Sequence, residues 1–299
     1  MAQDPEELFE VDSDVPDLTG AVLLHHFEGF MDAGGAGAAL VDHLLSVHEH
    51  RVVARFDVDD LIDYRARRPP MTFDTDHWET YATPELVVYL LHDAVGTPFL
   101  LLTGPEPDRR WEAVVAAVRA LIDRWGVRLA VSFHGIPMGV PHTRKLTVIA
   151  HGTRPELVVD KSPFSRVQVP GNLAALLELR LGESGHDAMG FAAYVPHYLA
   201  QGTYPTAALN LLEALTKSTG LVIQAAQLHE SARRTDAEIA RQVAESEEVA
   251  QVVAALERQY DAFTEASENL LVGSDEPLPS ADELGAEFER FLAEQQRDH

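Results

Sequence analysis

Short apolar runs alternate with stretches of helical periodicity from about residue 20 onwards. Continuous apolar runs such as Leu86–Leu91 and Pro98–Thr103 are typical of strands that are buried on both faces. Between such runs, Asp108–Trp125 places its apolar side chains three and four residues apart, which predicts an amphipathic helix. The other predicted strands are Ala21–Phe27, Arg51–Val58, Val127–Phe133, Lys145–Ala150 and Ala188–Val195, and the other predicted helices are Ala36–Val47, Asn172–Leu181 and Pro205–Thr216. This alternation predicts an α/β sandwich with a mostly parallel or mixed sheet.

The pattern changes after about Gln227. Residues 231–268 contain no glycine or proline, and their apolar side chains form one stripe at helical steps, which predicts one long helix or two with a break near Ser246. A turn over 273–280 and a short second helix over 281–296 follow. We therefore divide the chain into a disordered acidic N-terminus (1–18), an α/β domain (19–226) and a helical hairpin extension (227–299) that packs on that domain or on a neighbouring subunit.

The composition narrows the classes of function. The formal net charge is −25, which argues against nucleic acid and anionic lipid surfaces as partners. The absence of cysteine excludes disulfides, thiolate metal sites and a cysteine nucleophile. The apolar runs are far shorter than the roughly 18–20 residues that cross a bilayer, and no leader-like segment opens the chain, so we expect a cytoplasmic protein. The charge lies mainly at the two ends, with seven acids and no base in 1–18 and eighteen acids against six bases in 227–299.

The first candidate site is the glycine-rich loop after the first predicted strand, which contains Asp32, Gly34 and Gly35. Glycines let a backbone approach a ligand, and free N–H groups at the start of a helix attract anions. The lysine of a P-loop is missing, and Leu40 stands where a dinucleotide fingerprint needs its third glycine. Ligand binding and a merely structural tight turn both remain open, and no cofactor is expected.

The next candidates follow two other predicted strands. Asp63 and Arg65 belong to a dense block of acids and arginines over 57–69, which could grip a substrate or a subunit, or form a self-neutralising exposed loop. Glu106 and Asp108 lie in a proline-rich loop after a buried strand. Asp108 is a natural N-cap for the helix that follows, whereas Glu106 lacks such a role and is the better site candidate.

The fourth group is His134, His142 and Arg144, in a predicted loop shaped by glycine and proline. Histidine and arginine could supply a base, an oxyanion partner or metal ligands, although single histidines are more often structural. The serine-hydrolase elbow and the zinc-protease helix motif do not occur, and the histidines lack ligand spacing, so no metal site is expected.

All four loops follow predicted strands. If the sheet is largely parallel, they meet at one edge, where a cleft would hold Asp32, Asp63, Glu106 and His134.

Four motifs occur in a recognisable order. They are Gly29-Phe30-x-Asp32-Ala33-Gly34, Asp63-Tyr64-Arg65-x-x-Arg68-Pro69, Gly104-x-Glu106-Pro107-Asp108 and Phe133-His134-Gly135-x-Pro137. Together they resemble the proteasome assembly chaperone 2 family, in its bacterial, actinobacterial-type branch, over about Ala21 to Phe263. The resemblance implies a three-layer α/β/α sandwich similar to the phosphorylase/hydrolase-like class, with a C-terminal helical extension. It also implies a homo-oligomer and proteasome α subunits as candidate partners.

Eukaryotic members of the family are heterodimeric chaperones of proteasome α-rings, and relatives dock through a C-terminal hydrophobic–Tyr–any tail. This chain ends Gln295–His299 with Asp298 at the penultimate position, so docking through such a tail is not expected.

Two functions from different classes therefore stand side by side. The first is a non-enzymatic protein-binding or assembly factor that uses the acidic helices or the Arg65–Arg68 surface, and the lack of a catalytic signature favours it. The alternative is an enzyme or small-molecule binder of phosphorylase-like fold that uses Asp32, Glu106 and His134. A third possibility is that the loops mainly build an interface between subunits.

Overall fold

The computed structural model describes residues 5–29, 31–158 and 166–273. The strands in these residues are β1 (Phe9–Val11), β2 (Val22–Glu28), β3 (His50–Phe56), β4 (Met71–Asp74), β5 (His77–Tyr81), β6 (Val87–His92), β7 (Pro98–Pro105), β8 (Leu129–Met138), β9 (Val148–Gly152) and β10 (Ala188–Pro196). The α-helices are α1 (Ala36–Val47), α2 (Trp111–Trp125), α3 (Leu173–Glu183), α4 (Pro205–Thr219), α5 (Ala226–Glu245) and α6 (Glu247–Gly273). Every strand and helix predicted between residues 21 and 219 overlaps one of these elements.

Eight strands form one mixed sheet in the order β1-β3-β6-β7-β2-β8-β10-β9. The central strands β7, β2, β8 and β10 are parallel, and the outer pairs are antiparallel. Because β3 and β7 are both antiparallel to β6, β3 runs in the same direction as the central strands. The C-terminal ends of β3, β7, β2, β8 and β10 therefore lie at one edge of the sheet, as the sequence predicts.

Helices cover both faces of this sheet. Alternate residues of β2 point to opposite sides, so Leu24 packs in a core shared with α1 and α4, and Leu23 packs in a core shared with α2 and α3. The predicted three-layer α/β/α architecture is confirmed.

The C-terminal helices continue from the first of these cores. The predicted break at Ser246 is confirmed, since α5 ends at Glu245 and α6 begins at Glu247. Leu228 and Ile239 of α5 are buried in the core that contains α1 and α4. The helix predicted over 281–296 lies outside the described residues.

The prediction of disorder over residues 1–18 is wrong where the structure describes this segment. Residues 9–11 form the edge strand β1, which pairs antiparallel with β3. Leu8 and Leu18 are each only 2% exposed and pack in the core of α2 and α3. A few apolar side chains spaced along an acidic segment are therefore enough to hold it on the sheet.

A second, two-stranded sheet formed by β4 and β5 was not predicted. Every residue of the two strands is exposed, so the segment lacks the apolar alternation from which a half-buried strand is recognised. In the chain, the hairpin lies between β3 and β6 and follows the 57–69 block.

Candidate functional site

The candidate cleft lies where two central strands separate. The pairing of β2 with β8 ends at the residue pair His25 and Ser132, although both strands continue beyond it. Such a fork at the C-terminal edge of a parallel sheet is where α/β proteins commonly bind ligands.

Asp32 fills one side of this fork. Its Oδ1 accepts hydrogen bonds from the backbone N–H groups of Gly37 (2.8 Å) and Gly135 (2.9 Å), and its Oδ2 accepts one from Ala38 (2.9 Å). The carboxylate therefore caps α1 and ties the loop to β8. The N–H groups that could have bound an external anion are already donated to Asp32.

Gly34 and Gly35 both shape a tight turn, and Gly34 also packs closely. Gly34 and Gly35 have φ of 66° and 51°, in the left-handed region that favours glycine. A Cβ at Gly34 would lie 3.0 Å from the Cβ of Tyr204 and 3.1 Å from a methyl group of Val195. The structure thus supports the tight-turn interpretation of these glycines rather than an open ligand cradle.

A network of ion pairs and backbone hydrogen bonds joins the 57–69 block to the loop after β7. Asp108 accepts from the N–H of Asp63 (2.7 Å) and from Arg67 (2.6 Å), and Arg67 also donates to the carbonyl of Glu106. Although partial burial opposes ionisation, these hydrogen bonds and the nearby guanidinium hold the pKa of Asp108 below its usual value.

The predicted N-cap role of Asp108 is wrong. The residue that precedes α2 is Arg110, in a left-handed conformation and without a side-chain cap. Arg65, the candidate from the sequence, has an exposed side chain, and Arg67 is the arginine that enters the network.

Glu106 has a structural role that the sequence did not reveal. Its Oε1 accepts from the N–H of Leu173 (2.7 Å), the first residue of α3. Asn172 accepts from Ala175 in the same turn (2.8 Å). Two side chains therefore accept from two of the N–H groups in the first turn of α3, those of Leu173 and Ala175.

His134 lies in β8 and not in a loop, because β10 pairs with β8 as far as Met138. It lines a small cavity of about 40 Å³ together with His25, Ser132 and Glu106. Burial lowers the pKa of His134 to about 4 and that of His25 to about 3, with nearby histidines adding to the effect. Both imidazoles are therefore neutral near pH 7.

His142 and Arg144 have other partners. The His142 ring contacts the Tyr198 hydroxyl at 2.8 Å, and burial lowers its pKa. Arg144 binds Asp261 of α6 through two nitrogens (2.8 and 2.7 Å) and Glu257 at 3.2 Å. Arg144 therefore attaches α6 to the β8–β9 connection, and His142 contacts the segment between β10 and α4.

The structure thus brings Asp32, Glu106 and His134 to the fork and joins Asp63 and Asp108 to its rim. Within the described residues, no group of three histidine or carboxylate side chains is placed to hold a metal ion. In the same part of the chain, no helix is long and apolar enough to cross a membrane. The fork also holds His25, a histidine inside an apolar run that was not among the sequence candidates, and Ser132, whose hydroxyl opens the sequence motif that contains His134.

Comparison with known proteins places this geometry in a family. The PAC2 family model matches residues 26–243. The chain is similar to the Mycobacterium tuberculosis protein Rv2714, of unknown function, with 47% identity and a TM-score of 0.84 over 89% of this chain and 94% of that one. It is also similar to a Corynebacterium glutamicum protein of unknown function, with 34% identity and a TM-score of 0.82 over 87% of this chain and 99% of that one.

A more distant match is Mycobacterium tuberculosis Rv2125, described as a proteasome-assembly chaperone homologue, with 24% identity and a TM-score of 0.71 over 78% of this chain and 99% of that one. At this identity the likeness shows a common fold. No curated protein matches the chain significantly. The family resemblance inferred from the four sequence motifs, including its actinobacterial type, is confirmed.

Proposed function

The chain belongs to the PAC2 family, and we propose that it is a protein-binding assembly factor that works as a homo-oligomer. Two surface features support this function: the projecting β4–β5 hairpin and the acidic helices α5 and α6. A ligand cleft built on Asp32 and Glu106 has weaker support, because both carboxylates already accept hydrogen bonds from backbone N–H groups.

The exposed aromatic hairpin is the observation that carries the proposal. Phe73 is 55% and Trp78 is 63% exposed, and their rings contact each other edge to face at 5.1 Å. Met71 and Tyr81 add further exposed apolar surface. An isolated two-stranded hairpin is marginally stable in water, and exposed clusters of aromatic side chains mark protein interfaces. The hairpin therefore needs a covering partner.

We take a second copy of the chain as the occupant of this surface. A copy is present whenever the chain is, so it can cover a hairpin that is unstable when bare. Arg65 and Arg68, both exposed, precede the hairpin. Because both copies carry a net charge of −25, this attraction is local: acidic side chains of the second copy at the contact would pair with these two cations.

The partner that the oligomer would assemble is proposed from the family. The resemblance to proteasome assembly chaperones makes proteasome α subunits the class to test, and Rv2125 shares the fold under that description. The surface available for proteasome α subunits is formed by the acidic helices α5 and α6, where Val249 and Val252 of α6 are 42% and 48% exposed.

Native mass spectrometry of the full chain tests both parts of the proposal. We expect a discrete homo-oligomer, conversion to monomer in the double variant Phe73→Ser/Trp78→Ser, and no change in the control Val95→Ser, which alters a still more exposed apolar residue outside the hairpin. Circular dichroism checks that the variants are folded.

A monomeric wild-type chain would overturn self-assembly, and an oligomer that survives the hairpin substitutions would overturn the hairpin as its interface. Mixing with proteasome α subunits from the same source should give a mixed complex. Its absence would overturn the proposed partner, whatever the oligomeric state.

A further inference from the structure

A row of polar residues crosses the face of the sheet that α3 covers. In successive strands, His25 of β2 lies opposite Ser132 of β8, Ser132 lies opposite Gly190 of β10, and Gly190 lies opposite His151 of β9. Two residues earlier in β8, Ala130 packs in the core of α2 and α3, so the row faces the same side. None of these residues has a role in the network described above.

His151 is oriented by a carboxylate. Its Nδ1 lies 3.0 Å from Oε1 and 2.9 Å from Oε2 of Glu178, which projects from α3 and is 15% exposed. A hydrogen bond from Nδ1–H to this carboxylate leaves Nε2 with its lone pair free to accept a proton.

Gly190 opens the space between this histidine and a serine. The position that a Cβ of residue 190 would occupy lies 2.5 Å from Ser132 Oγ and 2.6 Å from His151 Nε2. The two atoms are therefore at most about 5.1 Å apart beside a glycine, and no hydrogen bond joins them in the described residues. A triad hydrogen bond that is long in the free protein can shorten when substrate binds. Any larger residue at position 190 would separate them.

The serine also lines the small cavity at the fork, where two further groups are available. His25, only 1% exposed, lines the same cavity, and its Nδ1 has no hydrogen-bond partner among the described residues. Ala174, in the first turn of α3, lines it as well. The side chains of Glu106 and Asn172 take the N–H groups on either side, and the N–H of Ala174 has no acceptor among the described residues. An N–H at a helix N-terminus is a suitable donor to an oxyanion.

We propose that Ser132, His151 and Glu178 form a nucleophile–base–carboxylate triad that hydrolyses small esters. This activity goes beyond the assembly function and does not rest on it. A cavity of about 40 Å³ is small, so the acyl group must be short, of acetyl size.

The proposed ester hydrolysis uses water as its second substrate. Ser132 Oγ attacks the ester carbonyl while His151 Nε2 takes its proton, and the Ala174 N–H stabilises the oxyanion. Collapse breaks the bond to the alcohol oxygen, which receives the proton from His151. Water then attacks the acyl-serine with His151 again as base, which releases the carboxylic acid and restores the serine hydroxyl.

Methanesulfonyl fluoride, whose methylsulfonyl group is of acetyl size, tests the nucleophile directly on the full chain. We expect intact-mass spectrometry to show one added methylsulfonyl group, peptide mapping to place it on Ser132, and the chain to hydrolyse p-nitrophenyl acetate. Ser132→Ala should abolish both signals. Ser218→Ala, at an exposed serine of α4, should leave both unchanged.

Two further variants test the other members of the triad. Glu178→Gln keeps a hydrogen-bond acceptor for His151 but removes the charge, and we expect labelling and hydrolysis to slow by about tenfold or more. His151→Gln should abolish both, and His229→Gln, at an exposed histidine of α5, should leave both unchanged. Thermal melting confirms that each variant is folded.

Label at another residue, or equal labelling of folded Ser132→Ala, would overturn the proposal. A loss of labelling with His25→Gln but not with His151→Gln would overturn the assignment of the base.

Discussion

Asp32 is the residue whose removal should cost the fold most at the candidate site. Its carboxylate accepts three backbone N–H groups, two from the first turn of α1 and one from β8. A cap of one helix contributes about 1 kcal/mol, and a hydrogen bond to a charged group contributes about 1.5–3 kcal/mol when it is shielded from water. The Asp32 side chain is 18% exposed, so water can replace part of what is lost.

We therefore expect Asp32→Ala to lower the free energy of unfolding by about 3 kcal/mol, below the about 4.5–9 kcal/mol of three fully shielded bonds, because water replaces part of what is lost. Asp32→Asn should cost about half as much, because one oxygen can still accept from Gly37 and Gly135 while the amide NH₂ meets the N–H of Ala38. Urea unfolding followed by circular dichroism measures both changes, as a lower midpoint with an unchanged slope.

Asp42→Ala is the matched control, since Asp42 is an exposed aspartate of the same helix and should change stability by less than about 0.5 kcal/mol. A loss of about 1 kcal/mol or less in Asp32→Ala would show that the carboxylate acts only as a helix cap. The bond to Gly135 would then not contribute to stability, and the reasoning from three bonds would be refuted.

Three other predictions follow from the same contacts. Glu106→Ala should lower the free energy of unfolding by about 1 kcal/mol in urea titrations, because the N-terminus of α3 loses an acceptor; unchanged stability would contradict this role. Arg144→Ala should speed amide hydrogen exchange in α6 with little effect on α4, since the bonds of Arg144 to Asp261 and Glu257 attach α6. Equal exchange rates of α6 in the unmodified chain and in Arg144→Ala would contradict this role. The free energy of unfolding should also fall as the pH drops below about 6.5. In the unfolded chain His25 and His134 then bind protons, whereas in the folded state their pKa values near 3 and 4 keep them neutral. Urea unfolding at pH 7.5 and 5 should differ by about 2 kcal/mol for each of these histidines, and His134→Asn should reduce the difference.

The elements with strong periodicity could be predicted from the sequence, and those that depend on pairing could not. The helix Ala36–Val47 has the predicted limits because its apolar stripe and its glycine-rich start are local signals. β8 continues past Gly135 because β10 lies beside it, a partner that no local pattern near residue 135 reveals. The edge strand β1 was missed for the same reason, since its register with β3 supplies what its acidic sequence does not.

The candidate site shows the same division. Strand order could be inferred well enough to bring Asp32, Glu106 and His134 to one edge. The backbone N–H from which each carboxylate accepts a hydrogen bond depends on strand register and on helix placement, which no local pattern reveals. For this reason the sequence did not predict that Glu106 accepts from the N-terminus of α3. Arg144 finds Asp261 on a helix more than a hundred residues away along the chain, and no spacing rule connects the two.

The polar groups at the fork fall into two sets with opposite energetics. Asp32 and Glu106 satisfy N–H groups that would otherwise be unpaired, so their presence is explained by stability alone. His25 is the reverse case, because a fully buried nitrogen without a partner costs free energy that a hydrocarbon side chain in the same place would not. Ser132 lines the same cavity and lies next to His25 in the sheet. The hydrogen bonds of Asp32 and Glu106 stabilise the fold, whereas the unpartnered His25 adds no stability. This contrast directs the search for chemistry to the polar row on the sheet face that α3 covers.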